Sequence, residues 1–256
     1  MFDRIWTFLI FLFDYLSTII KTLPRDIRGL YKIFRHSFII KYNVYRKRDF
    51  IAIFRDNVKY YKSKPCFIFE DTFLSFQQVE DLTNQLANYF LAEGYSHGDV
   101  IALMLDNSIE YPCVWIGLSK IGCITALINS NLRAIPLLHS IRTVNAKSII
   151  TSKHLLPEIE SELKELNINK VYLFDTKHKS TTNISNGCTS ISSFETVQLY
   201  EKLEQCSAKP TKPIPYNLKH PVFYIFTSGT TGLPKAAVIK HSRFVEKMSI
   251  HSYIPK

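Results

Sequence analysis

The sequence contains few cysteines, and none of them forms a C-x-x-C pair. An odd number of cysteines cannot form a complete set of disulfides, which argues against a disulfide-stabilised module. Two of them, Cys113 and Cys123, lie in apolar stretches, where cysteine usually acts as a small core residue. The cysteines therefore favour a reducing compartment. The five are Cys66, Cys113, Cys123, Cys188 and Cys206.

The sequence also lacks the motifs of nucleic-acid-binding proteins, although it is strongly basic. Its formal net charge is +10, from 32 Lys and Arg against 22 Asp and Glu. No zinc-finger spacing or nucleic-acid-binding aromatic motif is present, and basic residues beyond the N-terminal region are dispersed. The excess charge is better explained by contact of the N-terminal region with a membrane surface. We therefore predict no nucleic-acid partner.

No small-x-small cleavage site follows the apolar N-terminal segment, which argues against a cleaved signal peptide. Ile5 to Ile20 are nearly all apolar, and Asp14 is the one charged residue among them. As a helix, this segment is somewhat shorter than a hydrocarbon core of about 30 Å. A short membrane anchor, a signal peptide and an interfacial helix are the competing interpretations. We predict a membrane anchor over residues 1–22.

A basic juxtamembrane segment, residues 23–50, follows the predicted anchor. From Lys21 to Arg48 the chain carries nine Lys or Arg residues, opposed by Asp26 alone. Such a flank places the rest of the protein in the cytosol by the positive-inside tendency, and it attracts anionic lipid headgroups. Within it, apolar residues at helical spacing fit either a helix in the membrane interface or a helix packed on the globular body. They are Ile27, Leu30, Tyr31, Phe34 and Phe38.

Strand and helix patterns alternate through the globular part, residues 51–256. A strand over Phe67 to Phe69 precedes Ser75 to Gln78, which has the spacing of a capping box and begins a helix that ends near Gly94. The alternation predicts the α/β class, with a mainly parallel sheet covered by helices. The further predicted elements are strand Val100–Leu105, helix Tyr111–Ile121, strand Ile124–Ile128, helix Ile135–Val144, strand Ser148–Ile150, helix Leu155–Leu166 and strand Val171–Phe174.

One stretch combines hydroxyl groups, glycines and a lysine in the manner of a phosphate-binding loop. No Ser or Thr follows Lys235, so this is not the Walker loop, in which that hydroxyl holds magnesium. A buried strand, Val222 to Phe226, leads into the loop, and Ala236 to Ile239 predict a second strand after it. The glycines let backbone amides approach an anion, and the lysine supplies a cation for a polyphosphate. An ordinary hairpin with a Gly-rich turn is the alternative.

The run Tyr224-Ile225-Phe226-Thr227-Ser228-Gly229-Thr230-Thr231-Gly232-Leu233-Pro234-Lys235 resembles the signature of the adenylate-forming enzymes. Other stretches narrow the resemblance to the fatty acid transport proteins, or very-long-chain acyl-CoA synthetases. The resemblance implies the N-terminal part of the adenylate-forming enzyme fold, preceded by a membrane-associated helix, with residues 51–256 as an incomplete AMP-binding domain. The narrowing stretches are Gly98–Leu103, Trp115–Gly122, Ala126–Arg133 and His241–Arg243.

The resemblance also implies a function, the activation of long- or very-long-chain fatty acids linked to fatty acid uptake. In that reaction a fatty acid, ATP and CoA become acyl-CoA, AMP and pyrophosphate, with Mg²⁺ as the implied metal cofactor. Fatty acid and membrane lipids are the implied partners. Lys235 is the implied catalytic residue, and no metal ligand is assigned. Nucleotide binding is implied for Tyr224, Thr227, Ser228, Gly229, Thr230, Thr231, Gly232 and Lys235.

Taken one at a time, the stretches that resemble the fatty acid transport proteins also have ordinary structural explanations. Asn129 and Asn131 suit the caps of a strand-to-helix turn, Arg133 suits a solvated first-turn residue, and His241 suits the start of a helix. Two connections are predicted as well: a polar surface loop over residues 175–194 and a stiffer, proline-rich connector over residues 209–215.

Complete members of the family that the sequence resembles are longer, so we expect this chain to be a fragment, a short isoform or an incomplete gene model, inactive alone. The alternative function is a membrane-anchored, non-catalytic module that binds lipid or a partner. The candidate protein partners are a second copy of the chain and a full-length relative. The expected location is the endoplasmic reticulum or plasma membrane, with the body facing the cytosol.

Overall fold

The computed structural model describes residues 2–46, 48–175, 194–212, 214, 217–228 and 232–251. By their contacts, the residues form two units. One consists of Met1–Lys47 with Val245–Lys256, and the other of Arg48–Phe244. Most of the predicted polar loop, residues 176–193, lies outside the described residues, as do two prolines of the predicted connector.

The first unit contains a continuous helix, α1 (Phe2–Tyr45), with Pro24 in its interior. Within the described part of the chain, this is the one helix long and apolar enough to cross a membrane. The predicted anchor and the amphipathic pattern after it therefore belong to a single helix, which runs through residue 22 without a break. At about 1.5 Å per residue, α1 is about 66 Å long, so it exceeds a hydrocarbon core of about 30 Å. Its amphipathic second half carries exposed apolar side chains, including Ile27, Tyr31, Phe34 and Phe38.

The body begins with helix α2 (Phe50–Tyr61), which the sequence analysis did not predict. A two-stranded antiparallel sheet of β1 (Pro65–Phe69) and β2 (Thr72–Ser75) follows, and then helix α3 (Phe76–Ala92). The predicted capping box at the start of α3 is confirmed. Gln78 N donates to Ser75 Oγ at 3.2 Å, and Ser75 N donates to Gln78 Oε1 at 2.8 Å.

A seven-stranded sheet forms the centre of the body. In space, the strands run in the order β7-β6-β5-β3-β4-β8-β9, and every neighbouring pair is parallel except β8 with β9. The predicted α/β class with a mainly parallel sheet is therefore confirmed. The bounds are β3 (Val100–Met104), β4 (Ile124–Leu127), β5 (Ser148–Thr151), β6 (Lys170–Leu173), β7 (Glu195–Gln198), β8 (Pro221–Thr227) and β9 (Lys235–Lys240).

The remaining helices mostly follow the predicted alternation with the strands. Their bounds are α4 (Tyr111–Lys120), α5 (Ala134–Val144), α6 (Leu156–Glu165), α7 (Leu199–Glu204) and α8 (His241–His251). Strand β7 and helix α7 were not predicted. His241 begins α8, as its ordinary structural explanation supposed.

Apolar side chains fill both faces of the sheet. On one face, Met104 of β3 lies in a buried cluster with Leu137 of α5 and Leu163 of α6. On the other, helices α3 and α4 approach so closely that a Cβ at Gly117 would lie 2.6 Å from Leu86 Cβ. Two cysteines, Cys113 and Cys123, are buried, as predicted for small core residues.

Candidate phosphate-binding site

The predicted phosphate-binding loop connects β8 to β9, which pair as an antiparallel hairpin. Thr227 and Lys235 are partners in the strand register, and Thr227 Oγ1 donates a hydrogen bond to Lys235 O at 3.4 Å. The strands therefore hold the first and last residues of the loop side by side. This confirms the predicted strand–loop–strand unit. The middle of the loop, residues 229–231, lies outside the described residues.

The loop lies at the carboxyl edge of the parallel strands, which is where ligands bind in open α/β sheets. Strand β8 runs parallel to β4, with Leu127 paired to Ile225. Since β8 continues to Thr227, the loop begins just beyond the end of β4. Thr227, Ser228 and Lys235 are exposed there. An anion in solution can therefore reach two hydroxyl groups and one ammonium group.

Gly232 directs the chain back toward the start of the loop. Its φ of +81° lies in the left-handed region, which glycine adopts far more readily than other residues. A Cβ at this position would meet nothing within 4 Å, so the backbone conformation, rather than crowding, requires glycine. The turn allows Lys235 to return opposite Thr227.

Aromatic packing fixes the strand that carries the loop. Phe223 of β8 is 6% exposed and lies with its ring centroid 5.3 Å from Trp115 of α4 and 5.6 Å from Phe244 of α8. Phe50 of α2 completes the group, with its ring centroid 5.3 Å from Trp115 and 5.0 Å from Phe244. The loop therefore starts from a rigid base, as the buried-strand pattern predicted.

Tyr224 occupies a different environment from the other predicted nucleotide-binding residues. Successive side chains of a strand point to opposite faces, and Tyr224 packs against the apolar cluster formed by Val100, Ile124, Ala126 and Val144. It is half-buried in the interior of β8, before the loop begins. The structure therefore brings Thr227, Ser228, Gly232 and Lys235 together at the loop, and it places Tyr224 outside that group.

A polar cleft of about 530 Å³ lies at the same edge of the sheet. In it, Asp106, which follows β3, is hydrogen-bonded through Oδ2 to Nε2 of His154, which follows β5, at 2.8 Å. Burial raises the pKa of Tyr111 from its usual 10 to about 12. The cleft offers mainly amide, hydroxyl and carboxylate groups to a polar ligand beside the loop. Its lining residues are Leu105, Asp106, Asn107, Tyr111, Ile128, Asn129, Ser130 and Asn131.

The sequence analysis did not single out Asp106 or His154. They are 48 residues apart, and each lies among other polar residues of its own turn, so neither carries a distinctive signal. Arg133 lies at the N-cap of α5, one residue before its first turn, and its partly exposed side chain pairs with Glu158. Asn129 does stabilise the turn, since its Oδ1 accepts a hydrogen bond from Asn131 N at 2.9 Å.

The residues that the structure describes contain no group of three or more His, Cys, Asp or Glu side chains that could hold a metal ion. A magnesium ion at this site would therefore depend on ligands other than such a cluster. The ammonium group and hydroxyl donors that the loop presents match phosphate oxygens, which accept hydrogen bonds and carry negative charge.

Comparison with known proteins identifies the family. Residues 54–255 match the family model described as AMP-binding enzyme. The chain belongs to the AMP-binding enzyme family. The match covers nearly the whole body, including β8, β9 and the loop between them.

Curated relatives of this AMP-binding enzyme are long-chain fatty acid transport proteins, as the sequence resemblance indicated. Long-chain fatty acid transport protein 6 of Homo sapiens is 32% identical over 212 residues, covering 78% of this chain and 32% of that protein. Long-chain fatty acid transport protein 2 of Rattus norvegicus is 34% identical over 203 residues, covering 77% of this chain and 30% of that protein. The chain thus spans about a third of the length of these relatives.

Solved structures with the same fold include the anthranilate CoA ligase AuaEII in complex with anthranoyl-AMP. It matches with a TM-score of 0.63 at 21% identity, over 76% of this chain and 35% of that one. This likeness confirms the prediction that the body has the N-terminal part of the adenylate-forming enzyme fold.

Proposed function

We propose that this AMP-binding enzyme activates long- or very-long-chain fatty acids, and that the loop between β8 and β9 binds the phosphates of ATP. The observation that carries the proposal is the register of the hairpin, which holds exposed Lys235 opposite exposed Thr227. The names of the curated relatives support the substrate class. Uptake of fatty acids follows if activation traps them as CoA esters.

In the first half-reaction, a carboxylate oxygen of the fatty acid attacks the α-phosphorus of ATP, and pyrophosphate leaves. Lys235 and the loop amides neutralise the charge that grows on the β- and γ-phosphates, while the hydroxyls of Thr227 and Ser228 hold the phosphate chain in line. The contribution of these residues is therefore positional and electrostatic. In the second half-reaction, the thiol of CoA attacks the acyl carbonyl and AMP leaves.

The proposal includes Mg²⁺ and CoA because the reaction requires them, and it assigns no residue as a ligand of either. Mg²⁺ would accompany the ATP phosphates as their counter-ion. The predicted roles of Gly229, Thr230 and Thr231 remain part of this proposal, as does that of Tyr224.

We further propose that α1 attaches the enzyme to a membrane, with its body in the cytosol. Ile5 to Ile20 in its first half are apolar except for Asp14 and short hydroxyl residues, whereas its second half combines exposed apolar residues with basic ones. An apolar insertion followed by an amphipathic, basic segment suits a helix that enters the bilayer and continues along its surface. The charge bias after residue 20 supports the cytosolic orientation.

Fatty-acid-dependent pyrophosphate release tests the proposed reaction. The chain is completed with the C-terminal part of a fatty acid transport protein and compared with its Lys235→Ala variant. Loss of a charged phosphate contact should lower the rate by about 100- to 1000-fold, by analogy with removal of one oxyanion donor. Lys240→Ala, at the opposite end of β9, is the matched control and should retain the rate. Equal rates of pyrophosphate release in all three proteins would show that Lys235 takes no part in the reaction.

A further inference from the structure

Lys120 is a charged residue in the interior of the body, at the end of α4. Its side chain is fully buried in α4, a helix that is otherwise apolar on that side. The Nζ atom donates hydrogen bonds to Glu80 Oε2 at 2.8 Å and to Asn84 Oδ1 at 2.6 Å. It also lies 5.8 Å from the centre of the Phe54 ring. Three helices, α2, α3 and α4, therefore surround one ammonium group.

Lys120 determines which way the amide of Asn84 points. An ammonium group can only donate hydrogen bonds, so the amide oxygen of Asn84 must face it. The amide nitrogen then faces the other way, and it donates to Ala208 O at 2.9 Å and to Glu80 Oε1 at 3.2 Å. The buried charge is thus linked through one side chain to the backbone of a segment more than a hundred residues away, since Asn84 and Ala208 are 124 residues apart.

The same face of α3 holds that segment at further points. Asn88 Nδ2 donates to Ser207 O at 2.7 Å and to Lys209 O at 2.9 Å. Gln85 Nε2 lies 3.5 Å from Cys206 O, at the limit of a hydrogen bond. Carboxamide groups of α3 therefore contact consecutive carbonyl groups of residues 206–209, which we call the clamped segment.

The clamped segment lies on the path that leads into the loop-bearing strand. Helix α7 ends at Glu204 and β8 begins at Pro221. Four strands separate β7 from β8 in the sheet, so the chain must cross about 24 Å at about 4.8 Å per strand spacing. The described residues between 205 and 220 include no helix to direct this crossing. Contacts with α3 direct the crossing instead.

We propose that Lys120 is a positioning residue: by orienting Asn84, it fixes the clamped segment on α3 and so sets the path of the chain into β8 and the phosphate loop. The consequence for phosphate binding rests on the proposed function, whereas the clamp itself does not. Burial lowers the pKa of Lys120 to about 8, and Glu80 acts against that decrease. The ammonium form therefore predominates at pH 7, which is the form that the orientation of Asn84 requires.

Alkylation of Cys206 by iodoacetamide, followed at each cysteine by mass spectrometry in the full chain at pH 7, tests the proposal. Cys206 lies in the clamped segment and is half-buried, whereas Cys113 and Cys123 are buried in the core and report unfolding. The test variant combines Lys120→Met with Glu80→Gln, so that neither member of the buried Lys120–Glu80 pair is left charged without the other. Arg55, which lies 3.8 Å from Glu80, keeps 23% of its side chain exposed to water. Its Cys206 should react about tenfold faster, as expected for the loss of one hydrogen bond to a charged group, with Cys113 and Cys123 unchanged.

Two further variants make the result specific. Lys120→Arg keeps a buried cationic donor, so Cys206 should be alkylated as slowly as in the unchanged chain. Asn88→Ala removes two contacts to the clamped segment, so the alkylation rate of Cys206 should rise. An unchanged Cys206 rate in Asn88→Ala would overturn the clamp. An unchanged rate in the Lys120→Met/Glu80→Gln variant, or a rise shared by Cys113 and Cys123, would overturn the role of Lys120.

Discussion

Trp115 on α4 packs edge to face against Phe223 on β8, with ring centroids 5.3 Å apart. This contact joins a helix of the core to the strand that carries the phosphate loop. Edge-to-face pairs add to the free energy of burying two large apolar rings. The proposed phosphate loop therefore begins from one of the well-packed parts of the body.

Removing the Phe223 ring should lower the stability of the body. Phe223→Ala leaves a cavity among three aromatic rings, and large-to-small changes of this kind cost about 3 to 5 kcal/mol in the free energy of unfolding. Urea denaturation measures the change. Phe73→Ala is the control, because Phe73 is 57% exposed and should matter by about 0.5 kcal/mol or less. Equal effects of the two changes would contradict the packing described.

Local patterns in the sequence predicted much of the fold. The capping box of Ser75 and Gln78 and the strand–loop–strand unit around Gly232 both depend on residues within a few positions of one another. Helix α2 also has a local pattern that predicts a helix, since Phe50, Ile51, Phe54 and Val58 share one buried face. Its apolar pattern begins at Phe50, the last residue of the predicted basic segment, so the two patterns overlap there.

Pairings between distant residues could not be predicted in this way. Glu80, 40 residues away, accepts a hydrogen bond from buried Lys120 and balances its charge, and Arg133 pairs with Glu158, 25 residues away. In each case one sequence position gives no indication of the other. The polar cleft beside the loop is similar, because Asp106 and His154 meet only when β3 and β5 become neighbours in the sheet.

Acid should destabilise the body partly through His241. Burial lowers the pKa of His241 to about 4 from its usual 6.5, and His220 and His97 add repulsion. Because the folded protein binds this proton less readily than the unfolded chain, the stabilisation is complete above pH 6.5 and is lost as the pH falls through 4. Between pH 7 and pH 4.5 the free energy of unfolding should fall by about 2 to 3 kcal/mol through this group.

The variant His241→Gln isolates that contribution. Urea denaturation at both pH values should show a smaller acid-induced loss for the variant than for the unchanged chain. His154→Gln, which alters an exposed histidine, should keep the full loss. Identical pH dependence of the unchanged chain and His241→Gln would show that the buried imidazole is not responsible.

Attachment to membranes should depend on α1. The intact chain should stay in the pellet after membranes are washed with alkaline carbonate, because a long apolar segment resists extraction. A chain that lacks residues 1–47 should be released into the supernatant. This deletion ends at the boundary between the two units. Retention of that shorter chain in a non-aggregated form would contradict the membrane role of α1.

The 256-residue chain by itself should not form acyl-CoA. It spans about a third of the length of its curated relatives, whereas the proposed reaction needs contacts with adenine, ribose, fatty acid and CoA as well as the proposed phosphate loop. Purified chain is incubated with radiolabelled oleate, ATP, Mg²⁺ and CoA, and oleoyl-CoA is measured against a Lys235→Ala control. Product above that control would mean that these residues suffice for catalysis.

Calorimetric titration of the purified chain with pyrophosphate tests the central claim most directly, because it needs no turnover and no other part of a larger protein. Lys235 and Lys240 lie at opposite ends of β9, and both are exposed. If the loop binds phosphates, Lys235→Ala should weaken pyrophosphate binding by about tenfold or more, as loss of a charge-assisted contact implies, while Lys240→Ala should leave it unchanged. Equal affinities of the two variants would contradict the assignment of the loop as the phosphate site.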